Sequence, residues 1–153
     1  MARYVVQIQS PRSPESAFDY MADLDNFAEW DPGVTAVTQA DGDGPGPDAA
    51  YDVSIKTGPR DLVLRYRLVE YQPHSRAVAR AESRLLTSND IITVEPDPDG
   101  AGSLVTYDAE LTLNGPLGLL DPVLASVFGK IGDRAAAGLL RALDGQKVEP
   151  STG

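Results

Sequence analysis

Apolar and polar residues change their spacing three times along this chain. Over Ala2 to Gln9, Tyr4, Val6 and Ile8 alternate with Val5, Gln7 and Gln9, the period-two pattern of a strand with one buried face. Ser13-Pro14-Glu15 then supplies a helix start: a side-chain cap, a proline that loses nothing in the first turn, and an acid at the positive end of the dipole. This helix runs to about Ala22 with Ala17, Phe18, Met21 and Leu24 inward, and a second short one, Asp25 to Trp30, is stopped by Pro32 and Gly33. From Val34 the pattern becomes strand again over 34–40, 50–57, 61–72, 76–84, 87–95 and 103–113. The separators are turn-rich: Asp41 to Asp48, Gly58-Pro59, Gln72 to Ser75, and Pro96 to Gly102. The last change is to helical spacing over Leu117 to Leu143, where Leu120, Leu124, Val127, Phe128, Ile131, Ala135, Leu139 and Ala142 form one apolar stripe.

Short separators mean antiparallel hairpins, not helical crossovers. The expected architecture is α+β: a curved antiparallel seven-stranded sheet wrapped around a long C-terminal helix, with two short helices between strands one and two. A sheet of this size curls by its own twist, and the helical stripe is buried most economically on the concave side. Closure is partial, so a cavity opens between sheet and helix. Residues 1–146 read as a single domain and 147–153 as a flexible C-terminal tail.

Composition narrows the chemistry. The 153 residues carry 13 basic and 23 acidic side chains, a net charge of -10, which disfavours nucleic acid and anionic membrane as partners. With no cysteine and one histidine, His74, thiolate chemistry and histidine-rich metal sites are excluded. No metal or organic cofactor is expected. No run approaches the ~20 apolar residues of a membrane span, and no apolar stretch follows a basic start, so stable membrane insertion is not expected and a cytoplasmic location is. The chain is expected to be a monomer or homodimer.

Four segments carry a resemblance: Ser13-Pro14-Glu15-Ser16-Ala17-Phe18-Asp19-Tyr20, Trp30-Asp31-Pro32-Gly33-Val34, Tyr66-Arg67-Leu68-Val69-Glu70-Tyr71-Gln72-Pro73, and Gly115-Pro116-Leu117 leading into the last helix. In that order they resemble the START-like, or SRPBCC, superfamily and its polyketide cyclase/dehydrase-like branch. The resemblance implies the helix-grip fold. It also implies one of several uses of that fold: lipid and hormone binding, aromatic polyketide cyclisation, chaperone-linked or toxin-like roles. It carries no shared catalytic signature onto numbered residues.

Alternation assigns strand faces. Inward sets are Tyr51, Val53 and Ile55; Leu62, Leu64, Tyr66 and Leu68; Asp90, Ile92 and Val94; and Val105, Tyr107, Ala109, Leu111 and Leu113. The strand 76–84 admits two readings: either Val78, Arg80 and Glu82 or Ala77, Ala79 and Ala81 face in. In the first, Arg80, Glu82 and Asp90 form a buried ionic cluster that orients a ligand. In the second, Arg80 and Glu82 pair on the wet face, as charged residues usually do. Tyr51, Tyr66 and Tyr107 suit a pocket that holds a greasy molecule and fixes its orientation, each with the alternative of a core tyrosine bonded to backbone. On the helix, Leu124, Phe128, Ile131 and Ala135 form the opposite wall.

Other motifs read blandly. Asp41 to Asp48, with Asp52, has some of the spacing of a calcium loop, but Pro45 stands where a side-chain oxygen is needed and strands flank it. A long polar hairpin loop is expected. His74 is a solvated turn residue. Trp30 closes a helix–sheet seam or lids the cavity, the seam being the commoner case. Core packing accounts for the apolar stretch Leu117 to Phe128.

Two functions follow. One is a non-catalytic module for a hydrophobic small molecule (lipid, isoprenoid or polyketide-like aromatic). The other is a cyclase or dehydratase that folds a poly-carbonyl chain and moves protons by tyrosine, aspartate or arginine. Asp90 and Arg80 both directed inward near a tyrosine hydroxyl favour the enzyme; a cavity of Val, Leu, Ile and Tyr alone favours the binder.

Overall fold

The computed structural model describes residues 2–56 and 59–148. Eight strands, β1 (Ala2–Ser10), β2 (Val34–Asp41), β3 (Ala50–Lys56), β4 (Asp61–Gln72), β5 (Arg76–Glu82), β6 (Leu86–Pro96), β7 (Ser103–Leu113) and β8 (Gln146–Lys147), form one antiparallel sheet. Its order is β2-β3-β4-β5-β6-β7-β1-β8. The hairpin run from β2 to β7 follows the turn-rich separators. Thr57 and Gly58, at the expected end of β3 and its turn, lie outside the described residues. β1 joins the far side of β7 in continuous register from Ala2↔Leu111 to Ser10↔Ser103.

The eighth strand corrects the expected count of seven. Gln146 and Lys147 pair with Gln9 and Ile8, and the Val148 amide donates to the Gln7 carbonyl at 2.9 Å. Chain order thus continues two residues into the stretch read as tail; the remainder, 149–153, lies outside the described residues. Two residues carry no periodicity, so this pairing has no sequence signal.

Between β1 and β2 the chain crosses the concave side. Helix α1 (Pro14–Ala22) starts as expected, with Ser13 Oγ accepting the Ser16 amide at 3.1 Å, and buries Ala17, Phe18, Met21 and Ala22. A 3₁₀ turn, Leu24–Asn26, leads into α2 (Phe27–Trp30), which buries Phe27 and Trp30. The Asp41–Asp48 stretch is a hairpin loop tied by the Gln39 side chain: its amide donates to the Asp41 and Gly44 carbonyls and its carbonyl accepts the Gly44 amide. Among the described residues no group of three or more His, Asp or Glu side chains is placed to hold a metal ion.

The terminal helix α3 runs Asp121–Ala142, later than the 117–143 expected, because a 3₁₀ segment, Gly115–Leu120, precedes it and Pro122 sits in its first turn. Its C-terminal end is firmly held. Ser10 Oγ donates to the Leu143 carbonyl at 2.7 Å and the Arg12 guanidinium to that of Ala142 at 3.1 Å. Asp144, at positive φ, turns the chain so that the Gly145 amide reaches the Leu140 carbonyl at 2.9 Å. Ala135, Ala136, Leu139 and Leu143 are buried there.

The N-terminal half stands away from the sheet. Val123 and Val127 are exposed, as are Leu119 and Leu120 before them, so core packing does not account for the Leu117–Phe128 stretch. Helical periodicity states which residues share a face, not how far that face lies from its partner. Leu119→Ser is therefore expected to shift stability by no more than ~0.5 kcal/mol, the usual range for surface positions; a thermal melt checks this, since Leu119 is already 86% exposed. Among the described residues no helix is long and apolar enough to cross a membrane.

Candidate functional site

The stand-off leaves a cavity of about 330 Å³ between the concave face of the sheet and the N-terminal half of α3. Small-molecule sites commonly span about 300–1,000 Å³. Eleven of the sixteen expected site residues reach its wall. Ile55, Leu64 and Tyr66 come from β3 and β4, and Asp90 from β6. Tyr107, Ala109 and Leu111 come from β7, and Leu124, Phe128, Ile131 and Ala135 from α3. Tyr51, Val53, Leu68 and Ile92 face the same side but are packed into the core beyond the cavity. Tyr51 is completely buried, its hydroxyl without a hydrogen-bond partner among the described residues.

Arg80 is a correction. On β5 it is Ala77, Ala79 and Ala81 that are buried, while Arg80 points to the convex side and pairs with Glu82 at 2.6 Å. The sheet needs small residues here. Ala81 lies opposite Tyr66 on β4 and Ser88 on β6, and Ala79 opposite Leu68 and Asp90. The three alanines form a trough, and across it the Tyr66 hydroxyl donates to Ser88 Oγ at 2.8 Å. An arginine facing in would fill the trough and bury a charge. No Arg80–Glu82–Asp90 cluster exists.

The polar groups of the cavity gather instead around Asp90, which is 4% exposed. Its direct partner on β7 is Ala109; the diagonal neighbour Tyr107, opposite Ile92, donates its hydroxyl to the Asp90 carboxylate. Burial pushes the Asp90 carboxyl up to about 7, with the negative charges of Asp31 and Asp108 acting the same way and the Tyr107 hydrogen bond against. Burial, joined by the Asp90 charge, holds the Tyr107 and Tyr66 phenols protonated well above their ordinary range.

Helix α2 fixes this end from above. Trp30 meets Tyr107 edge-on at 5.2 Å and stacks on Phe27 at 4.6 Å, and Phe27 lies 6.3 Å from Tyr66. Trp30 is buried, filling the seam between α2, α3 and the sheet. Asp31, directly after α2, also lines the cavity; desolvation raises its carboxyl while the Gly33 amide, donating to it at 2.9 Å, opposes this.

The sequence reading missed Ser88 and Asp31. Ser88 shares the alternation of Asp90 and Ile92, so its face was available from the pattern. Asp31 sits in a turn without periodicity, and only the packing of α2 brings it to the cavity. Tyr4 joins the wall from β1, its hydroxyl donating to Asp133 of α3 at 2.7 Å and its pKa pushed up to about 12 by burial and by that carboxylate.

A family described as polyketide cyclase/dehydrase and lipid transport matches residues 1–144. The chain belongs to this family. Among solved structures, a START superfamily protein from Mycobacterium smegmatis is similar with a TM-score of 0.72 at 11% identity, covering 94% of this chain and 98% of that one. A Thermus thermophilus protein gives 0.71 at 15%, over 93% and 95%. The major latex-like protein 151 of Panax ginseng gives 0.57 at 8%, over 87% and 97%. At such identities the likeness is one of fold: a curved antiparallel sheet gripping a long C-terminal helix. No curated protein matches the sequence.

Proposed function

We propose that this family member binds a hydrophobic small molecule (lipid, isoprenoid or polyketide-like) in the cavity between the sheet and α3. The observation that carries this is the wall itself: about 330 Å³ bounded chiefly by Val, Leu, Ile, Phe and Tyr side chains, with a few polar groups gathered around Asp90. The family's description, which includes lipid transport, supports the same reading.

The neutral fluorescent probe N-phenyl-1-naphthylamine is expected to bind saturably with a blue-shifted emission. Ala109→Trp, which places an indole in the cavity opposite Asp90, is expected to weaken that binding by at least tenfold while the far-ultraviolet circular dichroism stays unchanged. A titration of the unsubstituted chain that rises linearly without saturation overturns the proposal.

A second reading, a cyclase or dehydratase acting in the same cavity, is favoured by the Asp90–Tyr107 hydrogen bond, which joins a carboxyl and a phenol of suitable chemistry for proton transfer. The outward Arg80 removes the cationic half of the arrangement that would have favoured it most.

A further inference from the structure

We propose that the ligand is electrically neutral and carries a carbonyl oxygen, which the cavity receives at the Asp90 end, and that this end rejects carboxylates. The inference rests on the reading of the cavity as a ligand site and specifies which molecules enter it.

The argument begins with charge. Asp31, Asp90 and Glu110 line the cavity, Glu110 with Arg3 at 3.8 Å, and the one cationic side chain among the lining residues is Lys56, at the exposed end of β3. The strand arginines are engaged elsewhere. Arg3 pairs with Asp108, Arg65 with Asp52, Arg76 with Glu70, and Arg80 with Glu82. A carboxylate head driven to the Asp90 end would be a third acid in a desolvated space with no counter-ion, the least favourable way to bury charge. A fatty acid is thus a poor fit in the head-in orientation, although its tail suits the walls.

Hydrogen-bond supply completes the case. The Tyr107 hydroxyl is committed to Asp90 and the Tyr66 hydroxyl to Ser88. What remains to face a ligand is the Asp90 carboxyl and the Ser88 hydroxyl proton, because Ser88 Oγ is the acceptor in its bond with Tyr66. While Asp90 holds its proton both are donors, and a ketone, ester or aldehyde oxygen is the matching acceptor. The groups that act on Asp90 are Tyr107 of β7 and Asp31 after α2 on the cavity side and Asp108 of β7 from the other face, with the Tyr66 phenol of β4 nearby; none is a cation, and both carboxylates favour the protonated acid while the Tyr107 hydrogen bond opposes it. Loss of that proton as the pH passes about 7 converts the donor to an acceptor facing an acceptor.

Three probes of one shape test this: 2-ethylnaphthalene, 2-acetylnaphthalene and 2-naphthoate, titrated against the full chain at pH 6 and pH 8.5. Expected at pH 6 is ketone binding about tenfold tighter than hydrocarbon, the worth of a buried neutral hydrogen bond, with naphthoate at least ~100-fold weaker than the ketone. At pH 8.5 the ketone advantage is lost while the hydrocarbon is unchanged. Asp90→Leu narrows the ketone advantage to what the Ser88 hydroxyl supplies and removes its pH dependence. Asp90→Asn keeps a donor without a titration, so its ketone affinity no longer depends on pH, and it admits naphthoate more readily. Naphthoate binding as tightly as ketone, or a ketone advantage that Asp90→Leu leaves intact, overturns the inference. If the hydrocarbon itself does not bind, the cavity-binding reading fails instead, and the two failures are distinct.

Discussion

Gly138→Val is expected to lower the thermal midpoint by about 10 °C or more, or to abolish folding, whereas Gly129→Ala, nine residues earlier in the same helix, is expected to raise it. Both glycines lie within α3, yet their surroundings are opposite. A Cβ at 138 would overlap the carbonyl oxygen and carbonyl carbon of Trp30 and crowd its Cα, all backbone atoms of α2. Nothing there can rotate aside, so α2 must retreat and carry Phe27 and Trp30 off the tyrosines beneath them. Overpacking costs ~1–3 kcal/mol where side chains can yield; against a backbone wall the cost lies at or above that range, a large part of the ~5–15 kcal/mol that a domain possesses. At ~2–4 °C per kcal/mol for a chain of this size the midpoint shift is large. At Gly129 an added Cβ meets nothing within 4 Å, so alanine gains the helix-propensity difference, ~0.5–1 kcal/mol. Melting curves that move in the same direction for both variants would contradict this account of the α2–α3 contact.

The contrast also bears on what the sequence made legible. The run Ala135-Ala136-Ala137-Gly138 announces a close approach or spare room without saying where each applies: at Gly138 the backbone of α2 approaches, whereas Ala135 and Ala136 line the cavity. Hairpin order was readable because four of the five separators carry turn chemistry, the exception being the short Ser83-Arg84-Leu85 link between β5 and β6. The inward faces of β3, β4, β6 and β7 were readable because large apolar residues alternate with polar ones. β5 was not, since alanine on one side and Val, Arg and Glu on the other satisfy alternation either way. The deciding fact is lateral: Tyr66 on β4 and Ser88 on β6 meet over Ala81, and pairing across three strands is invisible to a one-strand pattern. Asp90 was found because it breaks an apolar series. Asp31, held by a turn and delivered by α2, breaks no series and left no signal.

Asp90→Asn is expected to stabilise the fold at pH 8 and to do little at pH 4, so that the two melting profiles cross or converge in acid. The sign follows from where the proton resides. Asp90 is buried, and its carboxyl titrates near about 7 in the folded chain against 3.8 as the ordinary value. Below pH 4 both folded and unfolded chains hold the proton and the site costs nothing. Between pH 4 and 7 the unfolded chain releases the proton while the folded chain retains it, so stability falls with rising pH. Above pH 7 both are ionised, and the folded state carries the full cost of a desolvated carboxylate facing Asp31. A rise of that size, at ~1.4 kcal/mol per tenfold change in proton affinity, places that cost on the order of 4 kcal/mol. Asparagine cannot ionise, and its side-chain oxygen still accepts from Tyr107, so the variant removes the penalty while keeping the hydrogen bond. Other carboxylates titrate in both chains and cancel in the difference. Urea midpoints measured from pH 4 to pH 8.5 should therefore separate progressively in favour of Asp90→Asn and level off above pH 7. Parallel profiles would show that Asp90 is not a desolvated acid, and the donor assigned to it in the cavity would go with it.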